Sequence, residues 1–214
     1  MEIINHLAES YADFFSSPES PELAAINQET METHPKAHML SGKIQGQFLS
    51  FISSMLQPKY ILEIGSFTGY SAICLLKGLQ KDGHLHTIEI REEDANTAES
   101  NFVKYNANKQ VTLHRGNAMD IIEELPYQWD LVFIDADKTA YINYYELLVP
   151  RLSEKGIILA DNVLFHGEVL EKHITGKNAK AIQAFNEHVQ NDPRTEQVII
   201  TVRDGISLIK LKNK

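Results

Sequence analysis

The chain has 214 residues, which fits one domain at the usual allotment of roughly 100–200 residues. With 43% hydrophobic and 23% charged residues it can bury a core and is no disordered segment, while 20 basic against 29 acidic side chains leave a net charge of −9, which argues against a phosphate-backbone partner. One cysteine, Cys74, excludes an internal disulfide and a cysteine-cluster metal site, and no apolar run reaches the ~18–20 residues of a membrane span.

The opening MEIINHLAESYADFF lacks the basic flank and apolar stretch of a secretory signal, so a cytoplasmic protein is expected. Within it Ile3, Leu7, Tyr11 and Phe14 recur at helical spacing. Ser20-Pro21 predicts an N-cap and first turn of a second helix, ended near His34-Pro35 because the residue before proline disfavours helix. GQFLSFISSML, residues 46–56, is apolar enough to pack on a core. Residues 1–57 therefore form a helical segment expected to pack on the rest and to cap substrate or a dimer interface.

From residue 59 onward the rhythm becomes strand, turn, helix. Strands are predicted at 60–64, 85–90, 111–114, 131–134 and 157–160, with helices at 69–80, 92–107, 118–125 and 139–150. Such alternation implies right-handed crossovers and a parallel sheet covered on both faces. EQVIITVR and ISLIKLK flank Asp204-Gly205, a two-residue hairpin signal, so an antiparallel pair should close one end. The expected class is α/β: a Rossmann-like sheet of about seven strands within a single domain spanning 1–214.

In open parallel sheets, ligands bind beyond the carboxyl ends of the strands. The first strand ends in EIGSFTGYS, a glycine turn with Phe67 where a dinucleotide fingerprint would place glycine, so the site suits a nucleoside cofactor without pyrophosphate. Glu89, ending the second strand, would accept hydrogen bonds from ribose hydroxyls. WDLVFIDADK and GIILADN each pass abruptly from apolar to anionic, bringing Asp135, Asp161 and Asn162 to one edge. Two carboxylates and an amide oxygen form a hard-oxygen site suited to Mg²⁺, Mn²⁺ or Ca²⁺. Lys138 should face the same cavity, where a nearby cation and a desolvated wall would lower its pKa toward the range of a general base. The nine histidines share no ligand spacing, and His166, just after Asn162, is the one placed near substrate. Trp129 and the group Tyr141, Tyr144 and Tyr145 are expected in the core, with Tyr144 reaching the cofactor.

LEIGSFTGYSA, FIDADKTAYINYY and LADNVLFHGEV closely resemble three motifs of the cation-dependent O-methyltransferases, the group of the caffeoyl-CoA and catechol enzymes. The resemblance runs from about Ser41 to the C-terminus. It implies the class I methyltransferase fold, S-adenosylmethionine as cofactor, one divalent cation, a phenolic small molecule as substrate, neither nucleic acid nor membrane as partner, and a homodimer. Carried across by position, it implies cofactor contacts at Ser41, Glu63, Gly65, Ser66, Ser71, Glu89, Ala118, Asp135, Asp137 and Tyr144. It likewise implies metal ligands at Asp135, Asp161 and Asn162, catalysis by Lys138 with Asp135, and substrate contacts at Lys138 and His166. Phe165-His166 departs from the Trp-Asn of plant-type members, so an acyl-CoA substrate does not carry over. A nicotinamide-dependent oxidoreductase is disfavoured by Phe67 and the D-A-D-K/D-N pair; a cofactor-binding module without catalysis differs only in turnover.

Overall fold

Alternating side chains along the central strands sort onto opposite faces of one sheet, and each face receives its own layer of helices. A computed structural model describes residues 4–212. Ahead of the sheet come α1 (His6–Phe15), α2 (Pro21–Thr33) and α3 (Gly42–Leu56). Then follow β1 (Tyr60–Ile64), α4 (Tyr70–Leu75), β2 (His84–Glu89), α5 (Glu92–Lys104), β3 (Val111–Arg115) and α6 (Ala118–Glu124). The second half holds β4 (Trp129–Ile134), α7 (Tyr141–Leu148), β5 (Leu152–Asp161), α8 (Lys177–Asn191), β6 (Thr195–Ile200) and β7 (Ile206–Leu211). The sheet order is β3-β2-β1-β4-β5-β7-β6, parallel up to β5, with β7 antiparallel to both of its neighbours. The predicted fold class is the one observed.

The pleat explains the two cores. Leu131, Phe133, Ile61 and Leu159 pack with Leu49 of α3 and Ile73 of α4, whereas Val132, Ile134, Leu62 and Ile158 pack with Tyr141, Tyr145 and Phe185 of α7 and α8. Trp129 is fully buried, as expected of a packing residue. Ser20 caps α2 by accepting from the Leu23 amide at 3.2 Å, and α2 ends at His34 in extended backbone before Pro35.

Several expectations need correction. The face of α1 carrying Leu7, Tyr11 and Phe14 forms but stays largely exposed, each residue at least 66%, with α1 touching α3 through Asp13 and Lys43, while α2 and α3 do pack on the core; Ile3 lies outside the described residues. Strand β5 begins at Leu152 rather than 157, because its polar first half still pairs with Trp129 across a register shift. Helix α8 was not anticipated, although Ala179, Ile182, Phe185 and Val189 fall on one buried face. The hairpin does not turn on two residues: Ile200 pairs with Ile206, leaving 201–205 as the loop. The Asp204 and Gly205 carbonyls accept the Leu164 and Val163 amides at 2.9 and 3.1 Å, so this backbone serves a neighbouring loop instead of closing a tight turn.

Glu63 is held away from solvent. The pleat sends it to the same face as Ile61, under α4, where it is fully buried and accepts from the hydroxyls of Ser71 (2.6 Å) and Thr87 (2.5 Å). It lies behind the residues that line the cavity between the strand tips. Burial pushes its pKa up to about 8, against the opposing pull of the two hydroxyls. Because the folded pKa exceeds the unfolded one, the stabilising contribution is complete below about pH 4.5 and is lost as pH rises through about 8. Glu63→Gln should therefore gain on the wild type by about 1.4 kcal/mol per pH unit across that window, to several kcal/mol in total. Urea unfolding from pH 5 to 9 measures this; a pH-independent difference would contradict it.

Candidate active site

The order of the strands reverses between β1 and β4, since the chain winds from β1 outward to β3 and then returns to lay β4 on the other side. A crevice opens at this switch, beyond the strand tips. The tips meet closely there. The Asp135 amide donates to the Ile64 carbonyl at 2.9 Å, and a Cβ on Gly65 (φ +97°) would lie 1.9 Å from the Asp135 carbonyl. Gly65 is thus required by the neighbouring strand's backbone, a different reason from ligand approach.

One cavity of about 1080 Å³ occupies the crevice, and it is lined by every expected site residue except Glu63. Toward β4 and β5 the wall is anionic. Asp135 and Asn162 each turn a side-chain oxygen toward Lys138 Nζ, which donates to them at 2.8 and 2.6 Å and to the Tyr141 hydroxyl at 2.8 Å. Asp161 sits behind, accepting from the Asn162 amide (2.8 Å) and from Gln45 Nε2 of α3 (2.6 Å). Register places these groups together: Ile134 of β4 pairs with Ala160 of β5, so Asp135 and Asp161 follow at matching tips. Asn162 then adopts a left-handed backbone (φ 59°), which asparagine tolerates better than most residues. Burial raises the Asp161 pKa to about 7, reinforced by the charge of Asp135 and opposed by Lys138.

Two opposing effects act on the Lys138 pKa. Burial alone would lower it, but the charges of Asp135 and Asp161 override burial and hold it well above its ordinary range. Lys138 is therefore an ammonium held where carboxylate and amide oxygens converge. Its partner is Asp135; Asp137 is spent on the Thr139 amide and hydroxyl at 3.1 and 2.8 Å. The donor set of Asp135, Asp161 and Asn162 fits a hard divalent cation in its chemistry, being side-chain oxygens from two adjacent strand tips, of which those of Asp135 and Asn162 already meet on the Lys138 ammonium. Among the described residues no group of three or more His, Cys, Asp or Glu side chains is arranged to hold a metal, and this set includes an amide in place of a third carboxylate.

The other half of the cavity suits a nucleoside. Ser66 is 1% exposed with a hydroxyl that has no protein partner, a polar atom left for a ligand. Ser71 lies beside it and donates to Glu63. Glu89 accepts from the Phe67 and Arg91 amides at 2.8 and 2.9 Å, which fixes its carboxylate at the end of β2. Ala118 opens α6 on the facing wall, its helix capped by Asn117 accepting from the Met119 amide at 3.0 Å. Tyr144, 5% exposed, and Ser41 also line the cavity. His166 stands at the rim with its side chain 75% exposed, its amide donating to Asp204.

Sequence reading missed three contributors. Tyr141 was assigned to the core, yet its hydroxyl receives Lys138; Gln45 hid within an apolar helix; Arg203 hid in a hairpin turn. Gln45, 1% exposed, is the one amide among the buried polar residues of α3, beside Ser50 and Ser53, and a buried amide requires partners.

A family model described as O-methyltransferase matches residues 13–212. A caffeoyl-CoA O-methyltransferase of Stellaria longipes is 31% identical over 203 residues, covering 90% of this chain and 84% of that protein. A catechol O-methyltransferase of Niastella koreensis is 33% identical, covering 78% of this chain and 80% of the relative. Among solved structures, an SAH-bound methyltransferase of Podospora anserina superposes with a TM-score of 0.91 at 27% identity, covering 97% of this chain and 95% of the other. An O-methyltransferase of Bacillus cereus in complex with SAH gives 0.88 at 28% identity, covering 96% of this chain and 97% of the other.

Tyr141→Phe should cost about 1–3 kcal/mol, because a buried ammonium loses an acceptor and two carbonyls lose a hydroxyl. Tyr127→Phe, at a half-buried tyrosine without a hydrogen bond of its own, should cost less than about 0.5 kcal/mol. Chemical denaturation of both variants checks the contrast, and equal costs would show that Lys138 does not depend on Tyr141.

Proposed function

The chain belongs to the O-methyltransferase family, and on that premise we propose that it transfers a methyl group from S-adenosylmethionine to a phenolic hydroxyl of a catechol-like small molecule, with one divalent cation. The convergence of Asp135 and Asn162 oxygens on a single cationic nitrogen, with Asp161 behind it, carries this reading. A cation held by Asp135, Asp161 and Asn162 would orient two adjacent phenolic oxygens and lower a pKa that is ordinarily ~10, Mg²⁺ being the first choice for such a donor set.

The chain's own residues would do the remaining work. Gly65, Ser66 and Ser71 bound the methionine end, Glu89 is poised for the ribose hydroxyls, and Ala118 leaves room for a flat base. Asp137 and Tyr144 would complete the cofactor wall. The acceptor oxygen forms a bond to the methyl carbon as the carbon–sulfur bond breaks, releasing a neutral thioether. Holding oxygen, carbon and sulfur in line is a positioning effect that can supply about 7–11 kcal/mol. Bound positive charge would offset that of Asp135 and Asp161, weakening two of the causes that raise the Lys138 pKa while burial, which lowers it, remains. Lys138 would then accept the phenolic proton, with His166 at the acceptor rim. An acidic chain of net charge −9 favours a small acceptor over nucleic acid, and a cytoplasmic setting suits its single cysteine.

We also take the chain for a homodimer. The exposed Leu7, Tyr11 and Phe14 of α1 and the exposed Phe51 and Met55 of α3 offer apolar area that a second copy would cover. Sedimentation should give twice the chain mass.

Dialysis against EDTA should abolish turnover and Mg²⁺ restore it; full activity in metal-free buffer would overturn the cation. Asp161→Ala should lower turnover roughly 100-fold or more while the affinity for S-adenosylhomocysteine, read by calorimetry, changes only a few-fold. Equal losses of both would remove Asp161 from the acceptor side.

A further inference from the structure

Three cationic side chains line the cavity: Arg91, Lys138 and Arg203. Arg91 pairs with Glu89 and Asp94, and Lys138 pairs with Asp135. Arg203 makes no ion pair among the described residues. Its Nη1 donates to the carbonyl oxygens of Leu40 and Ser41, at 2.8 Å for Leu40, which fixes the guanidinium from one corner. The N–H groups on Nε and Nη2 have no partner among the described residues. Those nitrogens form one edge of the planar fork, the edge that meets a carboxylate with parallel hydrogen bonds.

The place of this edge matters as much as its vacancy. Arg203 stands on the 201–205 loop, in left-handed backbone (φ 49°), on a wall shared with segment 40–41 and the loop after Asn162. The adjoining Asp204 accepts the His166 amide, and its carbonyl accepts Leu164, so this wall belongs to the β5 side of the cavity, with Asp161 and Asn162. The nucleoside half, by contrast, is built from the tips of β1 and β2. An unpaired guanidinium costs desolvation unless something anionic reaches it, and in a cavity otherwise rich in carboxylates it is the feature that would admit a negative acceptor.

We propose that Arg203 is a specificity-determining residue, and that its free Nε–Nη2 edge binds a carboxylate carried by the phenolic acceptor. The favoured acceptor is then an aromatic acid with adjacent hydroxyls, selected over its uncharged analogues. The inference rests on the O-methyltransferase reading and narrows its substrate class.

The test compares ortho-dihydroxybenzoate with its neutral amide as acceptors, in wild type, Arg203→Gln and Arg203→Lys, with S-adenosylmethionine and Mg²⁺. Wild type should prefer the acid in kcat/KM. Arg203→Gln should lower the acid-to-amide ratio at least tenfold, chiefly through KM of the acid, and Arg203→Lys should lower it less, since charge survives but the fork does not. A ratio that does not move in Arg203→Gln would overturn the assignment. So would a loss of affinity for S-adenosylhomocysteine as large as the change in ratio, which would place the guanidinium on the cofactor's own carboxylate. If wild type methylates neither acceptor, the activity reading fails separately. Calorimetric binding of the acid to wild type and to Arg203→Gln then still decides the role of Arg203, with equal affinities counting against it.

Discussion

The Lys138 ammonium bound by Asp135, Asn162 and Tyr141 is the interaction on which the site turns. Two strand tips deliver negative charge to one point, and a buried carboxylate of this kind is costly without a cation beside it. Lys138 supplies that cation from within the chain, three residues after Asp135, and keeps the crevice intact. Burial and the Asp135 charge raise the pKa of Asp161 against the pull of Lys138, and the same Asp135 charge helps to hold that of Lys138 high against burial. The geometry needs the sheet order: only because β4 and β5 are neighbours, in register at Ile134 and Ala160, do their anionic tips coincide.

The cofactor half follows from the other side of the same switch. Gly65 is pressed so near the Asp135 carbonyl that a side chain there has no room, and the turn that results presents Ser66 and Phe67 to the cavity. Glu63, two residues before Gly65, is a buried support. Its hydroxyl partners come from α4 and β2, so it ties the helix after the glycine turn to the strand carrying Glu89. The nucleoside and acceptor halves share one backbone contact, between Ile64 and Asp135.

Much of this was legible from the residues. Strand-to-acid transitions at 135 and 161 stood out because apolar runs ended abruptly in oxygen ligands, and a sheet of known handedness must bring such ends to one edge. What escaped notice had a physical reason. The direction of Glu63 depends on the phase of the pleat relative to α4, which a motif does not state. The state of Lys138 depends on two carboxylates whose distance the sequence does not give. The polar first half of β5 reads as a loop until β4 supplies its partner. Gln45, Tyr141 and Arg203 act through contacts spanning much of the chain, and Arg203 reaches Ser41 across 162 positions.

That last contact has a consequence for how the molecule comes into being. A ribosome releases β1, β2 and the glycine turn well before residues 201–211, which hold the loop carrying Arg203 and the strand that pairs with β5. The nucleoside half of the crevice can assemble on the growing chain, whereas the acceptor wall waits for the final hairpin to pass over segment 40–41. A nascent chain would thus hold its methyl donor's cradle before it has anywhere to seat the molecule to be modified.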